Sequence, residues 1–276
     1  MNFIDSPLVH IGYGKTGTTS LQEHFFPKIE GKYHGKTDKN YPQWLINLCY
    51  LDDFAFESQL ESLSLDIRKE MDPNQLNIIS AEAFTNLDFL KRNVDRLNRI
   101  FISPYILICL RDPLNWLISN YKYNVVYECE WRSLDELVDW GINRTPYSLE
   151  KRPPFYAPSL FYNEVVAYLS TIIGPDHLFV YRYEDWCVDN SVLVNLLRPL
   201  ISFGDSDCGF VPRTLSLSNV DHESINRIRA ENFVKKYPSL KCSLAGSEYF
   251  QRFCSAGFDQ FCRGFFRDKV SRFYEI

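Results

Sequence analysis

Near the N-terminus, Gly12-Tyr13-Gly14-Lys15-Thr16-Gly17-Thr18-Thr19-Ser20 combines three glycines, one lysine and four aliphatic hydroxyls. Glycines let backbone N–H groups approach a ligand and adopt turns that other residues resist. The next residues, Ser20-Leu21-Gln22-Glu23-His24-Phe25, read as a helix start broken at Pro27. Its free N–H groups and positive dipole end would face an anion. Lys15 adds a point charge. The chemistry this spacing predicts is a phosphate cradle, with Gly14, Lys15, Thr16, Gly17, Thr18, Thr19 and Ser20 as its donors.

Two further segments carry donors. In Arg111-Asp112-Pro113-Leu114-Asn115-Trp116-Leu117-Ile118-Ser119, an arginine ends an apolar run and a serine follows eight residues later. Arginine offers a rigid fork to phosphate and serine a hydroxyl. Arg111 precedes the helix that Asp112-Pro113 would open, so it is free to fold back toward Ser119. The other segment is Tyr181-Arg182-Tyr183-Glu184-Asp185-Trp186.

The first loop contains Gly-Lys-Thr but is not a Walker A loop, because the required first glycine would fall at Val9. It resembles instead the 5′-phosphosulfate loop of the sulfotransferase family, with Gly14 in place of the usual proline. The Arg111–Ser119 spacing is similar to that family's 3′-phosphate motif, and Tyr183 stands where the family has a tyrosine near the adenine. The three motifs fall in the family's order between about residues 8 and 186.

The resemblance implies a donor, 3′-phosphoadenosine 5′-phosphosulfate (PAPS), with adenosine 3′,5′-bisphosphate (PAP) as product and no metal. It further implies sulfuryl transfer to a hydroxyl or amine. Lys15 would stabilise charge on the leaving phosphate oxygen. Glu82, just past the apolar run Leu76-Asn77-Ile78-Ile79-Ser80, is the leading general base, with His34 and Lys36 as runners-up. His10 and His24 read as packing or solvated residues. A carboxylate base is the choice of glycan-modifying relatives, which points to a saccharide or glycoconjugate acceptor. Aromatic residues such as Tyr41, Trp44, Tyr121 and Tyr123 could stack on it, and the proline-rich stretch 144–158 could form a lid. The alternatives are a P-loop kinase or phosphotransferase using ATP and Mg²⁺, and a nucleotide-binding module without turnover.

These groups need elements to hold them. Short apolar runs at Leu8–Ile11, Leu76–Ser80, Tyr105–Leu110 and Leu178–Tyr181, with a weaker one at Tyr33-His34, read as strands. Between them, 54–71, 87–101 and 160–173 carry apolar residues at helical spacing, and 221–236 reads as amphipathic. Strands alternating with helices predict a three-layer, P-loop-like α/β fold: a central parallel sheet flanked by helices, with helical insertions, in one domain over 1–276.

Composition sets the outer bounds. At 276 residues with 45% hydrophobic and 24% charged residues, the chain can bury a substantial core. The net charge of −5 argues against a nucleic-acid-coated protein. No apolar run approaches the roughly 20 residues of a membrane span. Eight cysteines without a C-x-x-C pair, and an N-terminus unlike a signal peptide, predict a reduced, cytoplasmic protein.

Overall fold

The computed structural model describes residues 3–36, 40–85, 89–130, 132, 134–139, 155–156, 160–201 and 222–236. They fall into two compact units. The first comprises residues 1–112 and 166–213, the second 113–165 and 214–276.

The first unit is built on a parallel sheet. Its strands are β1 (Leu8–His10), β2 (Lys32–His34), β3 (Asn77–Ser80), β4 (Tyr105–Leu110) and, later in the chain, a fifth at Leu178–Arg182. Each strand expected from the sequence is present, including the short one at Tyr33-His34. Every residue of β1 and β3 is buried. Alternate side chains point to opposite faces, so burial throughout a strand means both faces are covered, as in a helix-flanked parallel sheet.

The helical runs follow the expected pattern with shifted ends. After β1 the chain enters α1 (Thr18–Ser20), widens into a π-helical turn over Leu21–Phe25 and tightens into a 3₁₀ turn at Phe26–Lys28 around Pro27. Leu21, Phe25 and Phe26 seat this run in the core. Next come α2 (Gln43–Tyr50) and α3 (Asp53–Glu70), the latter capped by Asp52, whose carboxylate accepts from Ala55 N–H at 2.9 Å. A 3₁₀ turn (Glu82–Thr85) leads from β3 toward α4 (Leu90–Ile100).

Strand order explains the position of the site. From β2 the order runs β3, β1, β4 and then the Leu178–Arg182 strand. His10 is in register with Ser80 on one side and Leu107 on the other, and Leu110 with Arg182. After β1 the chain builds β2 and β3 on one side, then crosses to β4 on the other. Ligands of open α/β sheets bind outside the carboxyl ends of strands at such a reversal. The four strand ends there carry, in spatial order, Glu82, the 12–20 loop, Arg111 and Tyr183.

The second unit starts with α5 (Pro113–Tyr127), which opens on proline at its first position as the sequence predicted. It continues through α6 (Leu134–Leu137) and a parallel pair, β5 (Val138–Asp139) with β6 (Phe155–Tyr156). The sheet strand at Leu178–Arg182 is therefore β7, preceded by α7 (Tyr162–Ile173), which straddles the two units, and followed by α8 (Tyr183–Val188) and α9 (Ser191–Leu197). The expected C-terminal helix is α10 (His222–Lys236). Within the second unit, the buried Asn232 amide of α10 donates to the carbonyls of Val125 at 2.8 Å and Glu130 at 3.1 Å. Most of the proline-rich stretch 144–158 and the chain beyond 236 lie outside the described residues.

Candidate active site

The loop after β1 is held by its own backbone geometry and by the strands beside it. Lys15 and Gly17 both adopt positive φ, 67° and 77°. A lysine rarely takes that conformation, and such strain persists only where the surroundings impose it. The hydroxyls of Thr16 and Thr18 turn inward and donate to the Tyr13 carbonyl. Thr16, Thr18 and Ser20 are buried, whereas Thr19 is exposed. These threonines shape the loop from beneath.

Arg111, at the end of β4, crosses to this loop. Its Nη1 donates to the Lys15 carbonyl at 2.6 Å, and its guanidinium lies 4.7 Å from the centre of the Tyr183 ring. Its buried Nε–H has no hydrogen-bond partner, which leaves a donor for an anion. The sequence did not reveal the grip on Lys15. Nor did it reveal that Glu184 fixes the start of the next segment: one carboxylate oxygen of Glu184 accepts from Asp112 N–H at 2.9 Å. Ser119 lies half-buried in α5, in the second unit.

The Tyr183–Trp186 segment forms the other wall. Trp186 is buried in the core, edge-on to both Tyr181 and Tyr183, and packs against Gly17. Tyr183 thus meets the loop glycine and the Arg111 guanidinium together. Residue pattern alone assigns Trp186 no role. Its signal is a bulky aromatic three residues after Tyr183, on the same face of a helical turn.

Glu82 lies on the opposite side of the loop. Gly14 faces one of its carboxylate oxygens so closely that an added Cβ would sit 3.6 Å from it. The Thr18 side chain and the charges of Lys15 and Lys36 reach it. Glu82 keeps exposed surface yet stands in a concave wall crowded by protein atoms. That crowding pushes its carboxyl above the usual range, against the opposing pull of Thr18, Lys15 and Lys36. Desolvation holds the Lys15 ammonium below its ordinary value, partly opposed by Glu82 and reinforced by Arg111. The two groups are thus shifted toward each other, Glu82 upward and Lys15 downward.

Of the two runners-up for the base, Lys36 is exposed and His34 is engaged by a neighbouring strand. Buried His34 meets Asn77 Oδ1 through Nε2 at 3.0 Å, and burial depresses its pKa. His10 is fully buried with Nδ1 2.8 Å from Ser80 Oγ, and desolvation lowers it to about 3. Both rings are neutral structural groups at neutral pH. Ser80 also accepts from Gln22 Nε2 at 3.1 Å, tying the helical run after the loop to β3 just before Glu82. Gln22, absent from the expected site, is four residues beyond Thr18 and shares its face.

Beside Glu82 opens a cleft of about 160 Å³, lined by Tyr41, Leu45, Ile46, Cys49 and Tyr50 on one side and Ala81 to Ala83 on the other. Glu82 therefore belongs to two spaces: the loop with its cationic groups, and an apolar cleft. Among the described residues, no cluster of three His, Cys, Asp or Glu is placed to hold a metal.

The sequence matches no protein-family model and no curated protein. Among solved structures, it is similar to a sulfotransferase from Alicyclobacillus acidocaldarius, with 18% identity over 85% of this chain and 95% of the other, and a TM-score of 0.47. It is also similar to a sulfotransferase domain from the curacin biosynthetic pathway, with 14% identity over 91% of this chain and 96% of the other, and a TM-score of 0.40.

Proposed function

We propose that this chain is a sulfotransferase that moves a sulfuryl group from PAPS to a hydroxyl acceptor. The observation that carries the reading is the shared position of Glu82, whose carboxyl faces both the Gly14–Lys15 backbone and the cleft. A base and a leaving-group cation on the two sides of one transfer point are what in-line displacement requires.

The residues present suit an anionic adenosine nucleotide. Loop N–H groups and Lys15 would hold its 5′ end, Arg111 the 3′-phosphate, and Tyr183 would lie near the base. When bound, this co-substrate supplies an activated sulfate whose bond to a phosphate oxygen breaks readily. The acceptor oxygen forms a new S–O bond as that bond breaks, Glu82 takes the acceptor's proton, and Lys15 offsets the charge left on the phosphate. Arg111 keeps the Lys15 carbonyl turned inward, fixing the strained backbone from which the lysine side chain projects.

A saccharide is the acceptor class that a carboxylate base suggests from sequence; the walls of the cleft favour a less polar one. A reduced, cytoplasmic setting is consistent with free thiols at Cys49, Cys109, Cys129 and Cys187. Among the described residues, no helix is long and apolar enough to cross a membrane. The kinase alternative gains nothing, since Val9, where a Walker A loop needs its first glycine, lies fully buried within β1.

Titration calorimetry with PAP in a chelating buffer tests the reading. Metal-free binding, with little heat from ATP under the same conditions, is the expected result. Tight binding of Mg²⁺–ATP with no response to PAP would overturn it.

A further inference from the structure

The cleft beside Glu82 says what kind of molecule brings the hydroxyl. Among the described residues that line it, Glu82 is the one charged side chain. Leu45, Ile46 and the neighbouring alanines are aliphatic. The Cys49 thiol, pushed up to about 12 by burial, stays neutral. Burial raises the phenols of Tyr41 and Tyr50 as well, so they remain uncharged. A sugar ring brings several hydroxyls, each losing water on entry, and the described lining residues offer no amide, guanidinium or second carboxylate to meet them. A single hydroxyl on an apolar body has no such deficit: Glu82 meets the hydroxyl and the walls meet the rest.

The apolar surface continues outward. Ile46 and Tyr50, one helical turn apart on α2, line the cleft while remaining 36% and 54% exposed. Large apolar side chains grouped at a cleft mouth mark a binding surface more than isolated ones do. The cleft, about 160 Å³, is small beside the roughly 300–1,000 Å³ of pockets that enclose a whole ligand. It suits the end of an acceptor whose remainder lies outside.

The α2 wall is also fixed in advance. Arg96, buried in α4, donates to the carbonyls of Leu48 at 3.0 Å and Leu51 at 2.8 Å, and Arg92 donates to that of Cys49 at 2.6 Å. These arginines satisfy the carbonyls at the helix end, where cations are favoured. A wall so anchored presents a preformed surface, and a shaped apolar site selects its ligand by complementarity.

We infer that the acceptor is an amphiphilic alcohol, one hydroxyl at the end of an apolar chain, which enters hydroxyl-first against Glu82 and leaves its tail along Ile46 and Tyr50. This rests on the sulfuryl-transfer reading. In the step, the alcohol oxygen bonds to sulfur, its proton passes to Glu82, and PAP leaves with the electron pair of the broken S–O bond.

The test uses the full chain, PAPS, linear primary alcohols from four to ten carbons, and glucose and N-acetylglucosamine as polar competitors. PAP release, mass detection of the sulfate ester and calorimetry of alcohol binding to the PAP-loaded protein are the readouts. Apparent affinity and kcat/KM are expected to rise about fourfold per methylene buried, from about 0.8 kcal/mol each. Ile46→Asp is expected to abolish the gain with PAP affinity unchanged. PAP binding without chain-length dependence, or ester formation on the sugars alone, overturns the acceptor assignment and leaves the donor reading standing. Failure to bind PAP removes the donor reading itself.

Discussion

Gly17 and Trp186 occupy adjoining space: a Cβ on Gly17 would come within 2.6 Å of Trp186 Cζ3 and 3.1 Å of Tyr183 Cε2. Separated by most of the first unit's sequence, they join the loop after β1 to the segment after β7. Because Trp186 also packs on Tyr181 in the core, the loop is set directly on the sheet's hydrophobic interior.

Gly17→Ala should therefore fail twice. The left-handed φ alone costs about 1–2 kcal/mol for a residue with a Cβ, and the overlap with a ring fixed in the core adds to it. Denaturant titration should show a stability loss of at least that size, and calorimetry a weakened nucleotide site. A neutral substitution would mean the loop can move off Trp186 freely.

Lys15→Ala should leave a folded protein whose turnover falls by about 10²–10³-fold, the range for removing one group that meets developing charge. Single-turnover kinetics with saturating nucleotide would separate this from weaker binding. An unchanged chemical step would remove Lys15 from the transfer.

Glu82→Gln should lower turnover by about 10²–10⁴-fold while raising the melting temperature at neutral pH. A carboxyl whose folded pKa is raised binds its proton more tightly in the native state, so its stabilising contribution is present at low pH and lost as pH rises through the folded value. Glutamine removes that loss. The gain in melting temperature should shrink as the pH falls toward the ordinary glutamate range. Melting curves at several pH values check this, and a loss of stability at neutral pH would contradict it.

The wild-type rate should trace a bell in pH. Glu82 must be ionised and Lys15 protonated, so the acid limb should lie above the ordinary glutamate pKa and the alkaline limb below the ordinary lysine pKa. Rate–pH profiles of wild type and Glu82→Gln check the assignment. An acid limb that persists in the variant belongs to another group.

Arg111→Ala should weaken PAP binding by about 1.5–3 kcal/mol, as for a lost charged hydrogen bond, with a smaller loss for adenosine 5′-phosphate. Because Arg111 also holds the Lys15 carbonyl, the variant should lose rate at saturating nucleotide as well. Equal losses for nucleotides with and without the 3′-phosphate would place that phosphate elsewhere.

Much of this architecture is legible in the amino-acid sequence. Four strands announce themselves as short apolar runs, the central ones because a strand buried on both faces needs no polar alternation, whereas the edge strand Lys32–His34 is only weakly marked. The 12–20 loop, Arg111 and Glu82 are visible for a related reason: each follows such a run directly, where a parallel sheet presents ligand-binding groups. Glycine content, charge and strand ends are local properties, written in contiguous residues. The π-turn at Leu21–Phe25 is not legible in this way, because an apolar period this short cannot distinguish turn types.

What the sequence by itself determined, then, is the kind of sheet, the anion-seeking loop and which side chains stand at the strand ends. Only the tertiary structure decided their partners: Arg111 on the Lys15 carbonyl 96 positions away, His34 engaged by Asn77, Glu82 facing Gly14 on one side and an apolar cleft on the other. The physical reason is that neighbours in a parallel sheet are never neighbours in the chain. Strand order and register are chosen by how whole elements pack, and a one-residue slip would turn every such side chain to the opposite face.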